Sequence, residues 1–256
     1  MPELRVERHG DGPPVVLVHG SVTGGASTWR KQLPLARRWT LLVVERPGFG
    51  PAPAGERVDF AVDAPLVADV LGDGAHLVGQ SYGGVVSLLA AALRPEAVRS
   101  LTVIEPPAFG VAVGNPAADE FIRRGQELWA DGPDDPATFL PLFLDLVGAP
   151  QPARLSPELE RGARLLRTER GPWEAEIPLD ALAAAPFPKL VVSGAHDPCF
   201  DAVCDVLQHR LGAERAVIPG AGHSVQRLGA PFNERLEGFL LAAEAQRPQR
   251  QTGSPR

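Results

Sequence analysis

Short, mostly apolar runs without polar alternation recur along the chain: Val15-Val16-Leu17-Val18, Thr40–Val44, Ala75–Val78, Ser100–Ile104 and Lys189–Ser193. A strand with one wet face alternates apolar and polar residues. A continuous run of this length, bounded by turn residues, predicts a strand buried on both faces. Leu4 to Arg8 does alternate and reads as an edge strand before the turn Gly10-Asp11-Gly12-Pro13. Arg215–Ile218 is the last strand. Between these runs lie helical stretches at Ser27–Arg37, Asp59–Leu71 (with Pro65 placed near its first turn), Val85–Leu93, Asp201–Leu211 and Pro231–Ala245. Alternating helices and buried strands predict an α/β fold, a mostly parallel sheet covered by helices on both faces. Reactive groups then belong at the carboxyl ends of the strands.

The rhythm breaks after Glu105. From 106 to 186 no strand pattern appears. Amphipathic stretches follow one another instead, at Ala117–Ala130, Pro136–Val147, Ser156–Arg170 and Leu179–Ala185, separated by proline and glycine. The division that follows is a core of residues 1–105 and 187–245, a helical cap of residues 106–186, and a frayed polar tail of residues 246–256. Most apolar residues of the cap serve its own packing. Trp129, Phe143 and Trp173 are the cap residues chosen to line a substrate pocket, with Trp29 from the core.

Composition narrows the function. The net charge of −6 argues against nucleic acid as the main partner. The two cysteines, Cys199 and Cys204, make no disulfide framework and match no zinc spacing, so no metal is expected. No apolar run is long enough to span a membrane, and the first residues hold no apolar signal segment. A cytoplasmic protein acting on a small molecule is the expectation, with oligomeric state left open.

The chemistry centres on Gly79-Gln80-Ser81-Tyr82-Gly83. A strand precedes it and a helix follows, which is the context of a nucleophile elbow. The glycines are needed because strand and helix pass too closely for side chains there. A serine hydroxyl needs a base, and the base needs an orienting acid. Asp197, at a strand's carboxyl end in Ser193-Gly194-Ala195-His196-Asp197-Pro198, is the predicted acid. His223, in Pro219-Gly220-Ala221-Gly222-His223, is the predicted base, and His196 is its rival. The order Ser81, Asp197, His223 is that of a hydrolase triad. The N–H of Tyr82 supplies one oxyanion donor; Ser21, or next to it Val22, supplies the other. His19 is read as a structural histidine that holds its loop.

These motifs, together with His19-Gly20-Ser21 and Arg46-Pro47-Gly48-Phe49-Gly50, resemble the α/β-hydrolase superfamily over about residues 4 to 243. The chain is most similar to its small cofactor-free bacterial esterases and haloperoxidase-like members. The resemblance implies eight strands, a cap after the sixth, no cofactor, and hydrolysis of a small hydrophobic carboxylic ester through an acyl-enzyme. It also holds Glu105 in reserve as the acid, since some members carry the acid after the sixth strand. Glu45 departs from the family, which often has Asp before the Arg-x-Gly turn. The same triad also serves C–C bond or lactone hydrolysis and perhydrolysis, and the fold also serves non-catalytic ligand binding.

Overall fold

The computed structural model describes residues 3–53 and 57–247. Its strands are β1 (Arg5–His9), β2 (Pro14–Val18), β3 (Thr40–Glu45), β4 (Ala75–Gln80), β5 (Val98–Ile104), β6 (Lys189–Ser193) and β7 (Glu214–Val217). They form one seven-stranded sheet in the order β1-β3-β2-β4-β5-β6-β7. β1 runs antiparallel to β3, and every other pairing is parallel. Eight strands were expected from the resemblance. Among the described residues a single strand precedes β2, because the Gly10–Pro13 turn leads from β1 straight into it.

The buried runs do what their composition requires. Val16, Val18, Leu77, Leu101, Val103 and Val191 face one side of the sheet. There they meet α2 (Phe60–Val70), α3 (Tyr82–Leu93) and α8 (Pro198–Leu211). Val15, Leu17, Val78, Ile104, Leu190 and Val192 face the other side and meet Trp29, Trp39, Phe232 and Leu236. Each such side chain removed from water is worth about 1.5–3 kcal/mol. Trp29 is therefore a core residue beneath the sheet, and it does not line a pocket as expected.

Capping chemistry sets the helix limits. Asp59 accepts from Ala61 N and starts α2; Pro65 is its sixth residue, in the second turn rather than the first. The Ser27–Arg37 stretch is a short helix, α1 (Gly25–Thr28), followed by a 3-10 segment over Arg30–Arg37 that contains Pro34. Proline removes an amide donor, and the tighter turn accommodates that loss. Glu45 accounts for its place here: its two carboxylate oxygens accept from Gly25 N and Ala26 N, both at 2.9 Å, and so hold the start of α1.

Between β5 and β6 come α4 (Pro116–Asp131), α5 (Pro136–Leu146), α6 (Pro157–Arg167) and α7 (Leu179–Ala184). Phe139, Leu140, Ala163 and Leu166 of α5 and α6 form a separate small core with Val22. α7 packs instead on α3 and α8, beside the sheet. After β7, α9 (Ala230–Ala245) closes the fold. Residues 248–256 of the expected tail lie outside the described residues. No described helix is long and apolar enough to cross a membrane.

Backbone also closes tightly at the turn between β4 and α3. A Cβ on Gly83 would stand 2.3 Å from His19 O and 2.4 Å from Val18 O; one on Gly79 would stand 2.3 Å from Gly83 O. Gly83→Ala is expected to lower stability by about 1–3 kcal/mol, because backbone must move to admit the methyl. Urea unfolding of the variant beside the native protein checks this, and an unchanged midpoint would refute the contact.

Candidate active site

Ser81 sits at the carboxyl end of β4, where the chain turns into α3. Its backbone is at φ 52, ψ −127, which an L-residue occupies only under constraint. Ser81 N donates to Ile104 O at 2.8 Å and Gly84 N donates to Ser81 O at 2.7 Å. These bonds hold the hydroxyl up from the sheet.

His223 Nε2 lies 2.9 Å from Ser81 Oγ. Its Nδ1 lies 3.3 Å from Glu105 Oε2. Nδ1–H donates to the carboxylate, which leaves Nε2 to accept the serine proton. Glu105 follows β5, is fully buried, and has φ 48. Its Oε1 accepts from Gly194 N at 2.6 Å. Burial alone would raise its pKa, but His196, His223 and the Gly194 amide outweigh burial and hold it below the usual carboxylate value.

Asp197, expected in that place, makes no hydrogen bond to His223. Its carboxylate accepts from Cys199 N at 2.9 Å and caps α8, with Pro198 as the first helical residue. Asp-Pro is a strong helix-start signal, and a cap of this kind is worth about 1 kcal/mol. The residue held in reserve, Glu105, occupies the position beside the imidazole.

His196 adds a second imidazole to the same carboxylate. Its Nε2 faces Val147 O at 3.2 Å and its Nδ1 lies 3.3 Å from Glu105 Oε2. The Nδ1 contact is off the hydrogen-bond direction, so it acts through charge. Burial disfavours the imidazolium, yet Glu105 outweighs burial and the pKa is raised. Glu105, His196 and His223 place three potential ligand atoms within 4.8 Å of one another. His223 Nδ1 is already engaged with Glu105, so a metal there would compete with the serine–histidine pair. Cys199 and Cys204 are buried free thiols whose pKa values burial pushes up.

The N–H groups of Ser21, Val22 and Tyr82 have no acceptor among the described residues. Val22 is at φ 73. Gly20 brings its loop against the elbow: a Cβ there would stand 2.8 Å from Ser81 Cβ. His19 is the loop's anchor, accepting from Arg46 N at 3.1 Å through Nε2 and donating from Nδ1 to Gly20 O at 2.8 Å. Burial, then Arg46, lowers its pKa well below normal, in keeping with a neutral ring.

Two cavities meet at Ser81. The inner one, about 20 Å³, is lined by Phe109, Phe121, Trp129, Phe143, Trp173 and Phe200 among others. The outer one, about 290 Å³, is lined by His223, Gln80, Val22, Leu144 and Arg227 among others. Three of the four chosen pocket residues thus surround the site, and Trp29 does not.

The profile of the Alpha/beta hydrolase family matches residues 15–235. The chain belongs to the α/β-hydrolase family. It is similar to a pimeloyl-[acyl-carrier protein] methyl ester esterase of Aeromonas hydrophila subsp. hydrophila, 41% identical over 110 residues, covering 41% of this chain and 43% of the relative. It is also similar to a 2-(acetamidomethylene)succinate hydrolase of Mesorhizobium japonicum, 27% identical over 88% of this chain and 86% of the relative. The crystal structure of an alpha/beta hydrolase from Sphaerobacter thermophilus superposes with a TM-score of 0.70 at 26% identity, covering 92% of this chain and 95% of that one. The chain spans about half the length of several curated relatives it matches, the Aeromonas esterase among them.

One site residue of this α/β-hydrolase escaped the sequence reading. Glu169 lines the inner cavity and accepts from Ser21 Oγ at 2.7 and 2.9 Å. The segment reads as part of a helix, and no spacing signal marks its carboxyl. Burial pushes its pKa up to about 7, against the pull of Arg46 and the Ser21 hydroxyl, and Asp63 adds to the rise. The folded chain therefore binds a proton here that the unfolded chain has released. Stability falls as pH rises from about 4.5 through 7, by roughly 3 kcal/mol from this group. Glu169→Gln removes that loss. Urea unfolding at pH 5 and pH 8 should show the variant gaining on the native protein by roughly that amount; parallel pH dependences would refute it.

Proposed function

We propose that the protein is a serine hydrolase that cleaves a small carboxylic ester. The observation that carries this reading is the chain of contacts Ser81 Oγ–His223 Nε2 and His223 Nδ1–Glu105 Oε2. His223 takes the serine proton as Ser81 attacks the carbonyl, then returns it to the leaving alcohol. Glu105 fixes the tautomer and stabilises the imidazolium. The N–H of Tyr82, with that of Ser21 or Val22, receives the oxyanion. Water then enters by the same base and releases the acid. Ser81 and His223 carry every proton transfer this acyl exchange needs while Glu105 stays ionised, so the reaction uses no cofactor.

Residues 106–186 act as the cap, with the α4–α6 region over Ser81 and the inner cavity as the acyl pocket. Its aromatic lining supports a short hydrophobic acyl group. The names of similar proteins, an esterase and a hydrolase, support the reaction class. The serine already hydrogen-bonded to its base supports catalysis over passive ligand binding. We place the activity in the cytoplasm.

The acid is the part of this reading most open to direct test. Glu105→Gln should lower kcat for a short p-nitrophenyl ester by about a thousandfold or more, because the imidazole loses its charged partner. Asp197→Asn should stay within about twofold of native, since asparagine caps a helix as well as aspartate. The opposite ranking would return the acid's role to Asp197. Ser81→Ala, read by ester hydrolysis and by fluorophosphonate labelling, should abolish both.

A further inference from the structure

Glu169 is the one carboxyl lining the inner cavity, whose wall is otherwise mostly apolar apart from Ser21, Ser81 and Tyr82. Trp129, Phe143, Trp173, Phe109 and Phe121 line the same cavity. A carboxylate in such a wall is costly unless its lone pairs are used. The structure uses few of them. Ser21 has a single hydroxyl proton, shared between both oxygens. A carboxylate offers about four acceptor sites. Arg46 comes no closer than 4.0 Å.

Arg46 is already committed elsewhere. Its Nη1 pairs with Asp63 at 2.8 Å and its Nη2 donates to Gly20 O at 2.8 Å. Its guanidinium stacks on Phe49 and Tyr82. One buried cation thus faces two buried carboxylates, Asp63 and Glu169, and Glu169 is the one in surplus. His19, the nearest other ionisable ring on that loop, is kept neutral.

The placement of Glu169 is also too firm to be incidental. Its backbone pairs with Val58, Arg170 N donates to Val58 O at 2.8 Å, and Trp129 Nε1 donates to Glu169 O at 2.8 Å. The carboxyl is thereby fixed at the wall of the cavity that also exposes Ser81 and Tyr82.

We infer that Glu169 is a specificity-determining residue: it receives a hydrogen-bond donor, a hydroxyl or an amine, carried by the short acyl group of the ester. This rests on the hydrolase reading above. The acyl chain lies where the outer cavity joins the inner one at Ser21, Ser81 and Phe143, with its carbonyl at Ser81, and only its donor group enters the water-sized inner cavity to meet the free lone pairs of Glu169. The aromatic walls hold the intervening methylenes and tolerate a cation on their faces. Because Ser21 bonds to Glu169 and offers its N–H beside Ser81, a filled Glu169 also steadies that loop.

The test is kcat/KM at pH 8 for three methyl esters: propionate, 3-hydroxypropionate and 3-aminopropionate. Native protein, Glu169→Gln and Glu169→Leu are compared, with fluorophosphonate labelling of Ser81 run on each. The native protein should prefer at least one donor-bearing ester over propionate by about tenfold or more, as a hydrogen bond to a charged partner gives. The better arm tells a neutral donor from a cationic one. Glu169→Leu should bring the ratio to about one or below, and Glu169→Gln should weaken it most on the amine. The readout is a ratio, so a general loss of rate in a variant does not mimic the effect. A native ratio near one, or a ratio that survives in Glu169→Leu, overturns the inference while leaving the hydrolase intact. Labelled Ser81 with no turnover of any of the three esters overturns it too. Failure of native Ser81 to label and of every ester to turn over sinks the hydrolase reading itself.

Discussion

A side chain can be raised above a parallel sheet only if the backbone beneath it turns more sharply than an L-residue prefers. At Ser81 the turn is held at φ 52, ψ −127, in a region that costs about 1–3 kcal/mol. The contacts of Gly79 and Gly83 fit this arrangement, since α3 rides against the ends of β2 and β4 with no room for a Cβ. Among the described residues, four non-glycine positions have positive φ: Val22, Ser81, Glu105 and Ala195. All four follow strand ends and all lie at or beside the site. Strain gathered in one place is the mark of an arrangement fixed by its surroundings, with the reacting groups positioned before any substrate arrives.

The parts of the fold that could be read from sequence were those with a local physical signal. Continuous apolar runs gave β2 through β6 within a residue or two, because a strand buried on both faces has no polar period. The glycines of the elbow spoke for themselves, since the close approach is a local demand. His223 was legible as the one histidine on a glycine-rich loop after the last strand. The carboxylate that stands against His223 was not, and the reason lies in two competing meanings of one dipeptide. Asp197-Pro198 fits a loop carboxylate and fits a helix cap. The cap prevails because Cys199 N needs an acceptor that no helical carbonyl can supply. Glu105, in Ile104-Glu105-Pro106, carried only a positional hint. What places it beside His223 is the positive φ and the Gly194 amide, both properties of the assembled sheet.

Glu169 and Trp29 failed to show for the opposite reason. Periodicity reports which residues are buried and says nothing of which buried surface faces a cavity. Trp29 lies under the sheet with Trp39, while Trp129 and Trp173 stand edge to face above Ser81. The four tryptophans look alike in the sequence and part company only when the sheet separates its two faces. Glu169 reads as one more polar position near the end of a helix; the turn that ends α6 at Arg167 is what brings it inward.

The inserted helices are joined to the loops around Ser81 at several points, and this bears on how they can move. Gly162 of α6 lies so close that a Cβ there would stand 1.8 Å from Val22 O. The Ser21 hydroxyl bonds to Glu169. Val147, which ends α5, accepts from His196, whose other nitrogen stands against Glu105. The first two contacts fall on the Ser21–Val22 loop beside Ser81, and the third falls beside Glu105. A rigid-body swing of α4–α6 away from the sheet would therefore break a hydrogen bond to each side of the site and expose Glu169 and Glu105 together. The outer cavity, which Leu144 and Arg227 help to line, reaches Ser81 without any such swing. The physical economy favours a fixed roof, in which the helices that wall the inner cavity also hold the Ser21–Val22 loop and Glu105 in register.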